Sequence, residues 1–95
     1  MSGVEWSALA ITDLETIDDY WSGYSEAAAE RVADRIERAA AFLATMPNAG
    51  PALRTQEARK WSVAATRYVL VYRAIDSGIE VLRVYHNQQD WMADL

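Results

Sequence analysis

YVLVYRAIDSGIEVLRVYH, residues 68–86, is the stretch whose reading decides the fold. Two runs rich in β-branched and aromatic residues, Tyr68–Arg73 and Ile79–His86, flank Asp76-Ser77-Gly78. A short polar turn ending in glycine between two such runs predicts an antiparallel hairpin. If the turn has three residues, Ile75 faces Ile79. The pairs that follow are Arg73–Val81, Tyr72–Leu82, Val71–Arg83, Leu70–Val84 and Tyr68–His86. Alternation then sorts the hairpin into two faces. Tyr68, Leu70, Tyr72, Leu82 and Val84 form the face suited to packing under helices. Val69, Val71, Arg73, Val81, Arg83 and Tyr85 form the other. In this register Arg73 and Arg83 are diagonal neighbours, within about 7–8 Å at the backbone. Two like charges that close point to an anion or acidic partner, or to neighbouring acids such as Glu80 and Asp76.

Upstream of the hairpin, Lys60-Trp61-Ser62-Val63 reads as a further strand. Before it, residues 47–58 form an irregular segment punctuated by Pro47, Gly50 and Pro51. The amino-terminal half is helical in pattern. Ala10, Leu14, Ile17, Trp21 and Tyr24 recur at steps of four and three, and Ser7 is placed to cap that helix. Ser22-Gly23 breaks it, with Gly23 suited to a left-handed cap. Ser25 caps a second helix with an apolar stripe of Val32, Ile36, Ala39 or Ala40, Leu43 and Met46, ended by Pro47. Val4-Glu5-Trp6 is a short alternating segment able to form an edge strand. The expected fold is α+β: a short amino-terminal strand, a helical hairpin over about 7–46, and a three-stranded antiparallel sheet over about 59–86, with a tail at 87–95.

Ninety-five residues make a single domain over 1–95, and 52% hydrophobic content excludes a disordered chain. No apolar run approaches the ~20 residues of a membrane helix, and the amino terminus lacks the pattern of a secretion signal. Absence of cysteine removes a disulfide scaffold and a thiolate metal site, and a single histidine argues against histidine-bound zinc. A cytoplasmic protein without metal or cofactor is the expectation. The net charge of −5 is unevenly spread. Residues 1–50 hold three arginines against nine acids, whereas residues 51–86 hold six basic residues against three acids. One face therefore seeks anions although the whole chain, with a pI near 4.7, is too acidic for general nucleic-acid binding.

The ordered set of motifs resembles the RelE/ParE superfamily of toxins from type II toxin–antitoxin modules, on its ParE side. The resemblance runs from Val4, Trp6, Ser7, Ala10, Asp13, Leu14, Ile17 and Tyr20 through Met46-Pro47-Asn48-Ala49-Gly50. It continues in Arg59–Val63, Tyr68–Arg73 and Ile79–His86, and closes on Gln89-Asp90-Trp91. It implies a cognate, ParD-like antitoxin wrapped over the toxin in a hetero-oligomeric complex. It also implies one of two targets. ParE-like members inhibit DNA gyrase by binding, without chemistry of their own. RelE-like members cleave ribosome-bound mRNA without metal, which calls for a base, an acid and cations at the transition state. For cleavage the residues implied are Arg59, Arg73, Arg83, Tyr85 and His86, with Glu80 as another base or acid. For contact with target or antitoxin they are Arg59, Lys60, Arg73, Arg83, Tyr85 and Trp91. The acidic pI and the presence of a single lysine disfavour docking among ribosomal RNA phosphates, so gyrase is the expected target. Gln89 departs from the family, which often carries a basic residue there. A degenerate toxin that retains only antitoxin binding is the third reading. His86 itself is read either as a catalytic group or as an imidazole hydrogen-bonded where a strand ends.

Overall fold

In a computed structural model that describes residues 3–54 and 57–88, the chain runs β1 (Val4–Trp6), α1 (Ala8–Ser22), α2 (Glu26–Thr45), β2 (Arg59–Ser62), β3 (Tyr68–Ile75) and β4 (Gly78–His86). Both serine caps form as expected. Ser7 Oγ accepts from Ala10 N at 3.0 Å, and Ser25 Oγ accepts from Ala28 N at 3.0 Å. Gly23 is not left-handed. Its φ of −63° continues the helical turn, and Tyr24 N closes on Trp21 O at 2.9 Å.

The sheet has four strands, not three, in the order β1-β4-β3-β2. β1 joins the open edge of β4 in parallel, pairing Val4 with Ile79 and Trp6 with Val81. Close backbone approach makes this possible: Ile79 N donates to Gly3 O at 2.9 Å, and Gly78, at φ 144°, would put a Cβ 2.0 Å from the same oxygen. Only a glycine fits there.

The hairpin register also differs from expectation in its lower half. Ile75 pairs with Gly78, so the turn is the two-residue Asp76-Ser77. From Tyr68–His86 to Val71–Arg83 the pairs are those expected, but Tyr72 then faces Val81 and Arg73 faces Glu80. Leu82 is the extra residue of a β-bulge. The bulge lets β4 keep Ile79, Val81 and Val84 on the helix side although Val81 and Val84 are three apart. Leu82 moves to the opposite face. Arg83 keeps its expected place across from Val71, two residues from Arg73, but Glu80 rather than Val81 lies across from Arg73.

The main core lies between helices and sheet: Ala10, Ile36, Ala40 and Leu43 meet Tyr68, Leu70, Tyr72, Ile79, Val81 and Val84. Tyr24 and Met46, expected on the apolar stripes, are instead 68% and 54% exposed. The sheet's second face is not open. Ala58, Val69, Val71 and Tyr85 are buried there with Leu53 and Leu82 against them. The segment after α2 is tied down by polar contacts. Tyr72 OH donates to Pro47 O at 2.8 Å and accepts from Gly50 N at 3.0 Å. Lys60 N donates to Pro51 O at 3.1 Å, which lays residues 51–53 along the outer edge of β2.

Candidate functional site

β1 ends at Trp6, so the edge of β4 beyond Val81 would be left without partners. The start of α1 supplies them. Ser7 N donates to Val81 O at 3.0 Å and Ser7 Oγ donates to Leu82 O at 2.8 Å. Asp13 completes the set one helical turn and a half further on. Its Oδ2 accepts from Val84 N at 2.9 Å and from Arg83 Nε at 2.8 Å, while Oδ1 accepts from Arg83 Nη2 at 3.0 Å. The Arg83 guanidinium also lies 4.7 Å from the centroid of the Tyr85 ring, in cation–π range. Arg83 is therefore a charged staple between helix and strand, its charge balanced within the fold.

The other basic candidates are held in separate places. Arg73 Nη2 and Nε meet Glu80 Oε1 at 2.8 Å on the exposed outer face. Arg59 sits across from Tyr72 and donates to Gly50 O at 2.7 Å and Asn48 O at 3.3 Å. Lys60 lies across from Val71, on the outer face, and is exposed. Tyr85 is 2% exposed and packs into the second cluster. Since directly paired residues share a face, Arg59 and His86 belong to the helix side, and Arg73, Arg83 and Tyr85 to the other. Trp91, together with Gln89, lies outside the described residues.

His86 stands opposite Tyr68, as the hairpin pattern implies, with ring centroids 5.7 Å apart in an edge-to-face contact. Gln88 N donates to His86 Nδ1 at 3.2 Å. The imidazole lines a groove of about 450 Å³ with Thr16, Ile17, Tyr20, Trp21, Arg67 and Tyr68. Trp21 Nε1 donates to Tyr68 OH at 2.9 Å and so sets the wall of that groove. At its rim Tyr20 and Tyr24 place their hydroxyls 3.2 Å apart, and this hydrogen bond raises the Tyr20 phenol above its ordinary value. A second groove, of about 270 Å³, runs between the helices past Ile11, Leu14 and Ile36 and is edged by Glu15, Asp18 and Glu37.

Asp13, Trp21, Arg67 and Tyr68 are the site residues that sequence reasoning did not single out. Tyr68 had a signal, its pairing with His86. Asp13 had one as well, an acid on the stripe side of α1 beside Leu14. Nothing in the linear pattern links Arg67 or Trp21 to the histidine. Among the described residues no cluster of His, Cys, Asp and Glu could hold a metal ion.

A helical hairpin thus covers one face of this small sheet, with basic side chains spread over both faces and aromatic and apolar grooves on the helix side. The family model described as the ParE toxin of the type II toxin–antitoxin system, parDE, matches residues 4–91. Toxin RelE2 of Caulobacter vibrioides is 36% identical over 86 residues, covering 90% of this chain and 96% of that protein. A solved structure described as the chromosomal ParDE TA system from P. aeruginosa superposes with a TM-score of 0.75 at 19% identity, over 87% of this chain and 92% of that one, which is a likeness of fold. The protein is a toxin of the type II toxin–antitoxin class. It belongs to the ParE toxin family.

Proposed function

We propose that this toxin acts in the cytoplasm by binding DNA gyrase and is neutralised by a cognate antitoxin encoded beside it. The observation that carries the reading is the dispersal of the residues that RNA cleavage would need. General base, acid and cations must converge within hydrogen-bond reach of one phosphate. Here Arg83 is taken up by Asp13, Arg73 by Glu80 and Arg59 by two backbone carbonyls. Tyr85 is buried, and His86 lies on the opposite face from Arg83. Such a surface suits recognition of a protein rather than turnover of a polyanion. The parDE family description favours an antitoxin partner as well.

RNA cleavage on the ribosome is the second reading, favoured by the name of the Caulobacter relative, Toxin RelE2. Under it His86 and Arg67 would work from the groove they share. Induced expression with two readouts separates the two. The expected result is accumulation of gyrase–DNA cleavage complexes with intact transcripts. Codon-dependent cuts in ribosome-bound message, lost in His86→Ala, would overturn it in favour of cleavage. Expression without growth arrest would leave a degenerate toxin that only binds antitoxin.

A further inference from the structure

The two helices present exposed stripes of opposite charge. On α1, Ile11, Glu15 and Asp18 follow at steps of four and three and edge the groove of about 270 Å³ between the helices, whose lining holds no cation. On α2, Arg35, Arg38 and Phe42 follow at steps of three and four and line a second hollow, of about 360 Å³, beside Trp61. Each stripe ends on an exposed apolar side chain. Ile11 is 48% exposed, and Phe42 is 45% exposed and rests against Trp61 with ring centroids 5.5 Å apart. At about 100° per residue, Arg35 stands roughly 160° around the α2 axis from Glu37, the acid that α2 lends to the first groove. The two hollows therefore open on opposite sides of α2.

The stripes match each other in reverse. Laid antiparallel, Arg35 meets Asp18, Arg38 meets Glu15 and Phe42 meets Ile11, because each stripe steps by three and then by four from its first charge. Each spans about 10 Å at the helical rise. One register thus joins two cations to two acids and one apolar side chain to another. Arg35 makes no ion pair among the described residues, and the Arg38–Asp34 pair at 2.9 Å is exposed and easily exchanged.

We propose that these stripes join copies of this chain: the Arg35–Arg38–Phe42 stripe of one toxin packs antiparallel along the Asp18–Glu15–Ile11 stripe of the next. Charge complementarity selects this partner. Two α1 stripes together would set acid on acid, and two α2 stripes cation on cation, so a twofold pairing of like stripes is disfavoured. The contact is heterologous and leaves each copy with one unused stripe, so association continues head to tail beyond a dimer. The net charge of −5 opposes approach at a distance, so the contact is weak and fills only as the toxin becomes concentrated. It needs neither antitoxin nor target and goes beyond the function proposed above.

The test is sedimentation velocity of the purified toxin alone over a concentration series at low salt. Wild type is compared with Arg35→Glu/Arg38→Glu, with Glu15→Lys/Asp18→Lys and with the chain carrying all four changes, each first checked for native circular dichroism. Wild type is expected to grow in average mass with concentration, past the dimer. Each double variant alone is expected to associate on the order of tenfold or more weakly. Mixed in equal amounts, the two double variants should associate again, because unaltered stripes meet each other and reversed stripes meet each other. The fourfold variant should associate by itself for the same reason. A wild type that stays monomeric up to millimolar concentration would overturn the proposal. So would growth that stops at a dimer, double variants that associate as wild type does, or a mixture that stays monomeric. Each of these outcomes would leave the toxin–antitoxin reading untouched.

Discussion

Arg83 and Asp13 form a two-pronged ion pair, Nε to Oδ2 at 2.8 Å and Nη2 to Oδ1 at 3.0 Å, across seventy positions of sequence. Asp13 also accepts the Val84 amide, so the carboxylate serves three donors and the guanidinium serves one carboxylate. That asymmetry predicts the order of two mutants. Asp13→Ala strands a strand amide and a half-buried charge, and is expected to cost about 2–4 kcal/mol. Arg83→Ala leaves Asp13 one backbone donor and is expected to cost about 1–2 kcal/mol. Urea unfolding of both checks the order, and a larger loss for Arg83→Ala would contradict the edge-capping role of Asp13.

Tyr72 holds the segment after α2 through its hydroxyl, between Pro47 O and Gly50 N. Tyr72→Phe removes the partner of a buried amide and should lower stability by about 1–3 kcal/mol without altering the sheet. Gly50→Ala should be worse, since its Cβ would lie 2.2 Å from Lys60 O. Thermal melts that rank Tyr72→Phe below Gly50→Ala in stability would run against this account.

The Arg73–Glu80 pair is on the exposed side of the hairpin, with the arginine side chain 47% accessible. Exposed pairs contribute at most about 1 kcal/mol, so Arg73→Ala should fold normally. It is therefore a clean probe of contact with the target. Growth arrest is expected to weaken in this variant with an unchanged melting curve, and full toxicity would remove Arg73 from the contact surface.

Gly78 holds a φ of 144° against the backbone of Gly3. Gly78→Ala should separate β1 from β4, because a Cβ at 2.0 Å from Gly3 O cannot be accommodated by rotamer change. Amide exchange at Ile79, whose N–H bonds Gly3 O, should quicken far more than at Leu70. Equal protection at both sites in the variant would show that the approach is not tight.

Elements built from local chemistry were legible in the chain. Ser7 and Ser25 cap helices because each hydroxyl meets a free first-turn amide three residues on, that of Ala10 and that of Ala28. Ile36 and Leu43 fall on the buried side because helical spacing brings them there. Even the bulge left a trace, the step of three from Val81 to Val84, where an alternating strand steps by two. The pattern alone could not choose between a slip in the strand and a longer turn, and the three-residue turn put Arg73 opposite the wrong partner. Tyr24 and Met46 continue the apolar spacing but lie just past the last helical residues, Ser22 and Thr45, and stay largely exposed.

By itself, then, the sequence determined the order of strand, helices and hairpin, the caps, the pairing of Tyr68 with His86 and the likeness to a toxin family. Tertiary structure alone decided that β1 closes the β4 edge, that a bulge sets Glu80 across from Arg73, and that Asp13 neutralises the arginine that stood out most. The reason is physical. Caps and alternation depend on neighbours a few residues away, whereas a charge is free or spent according to what lies within about 4 Å of it, and distant segments meet only once the fold has brought them together.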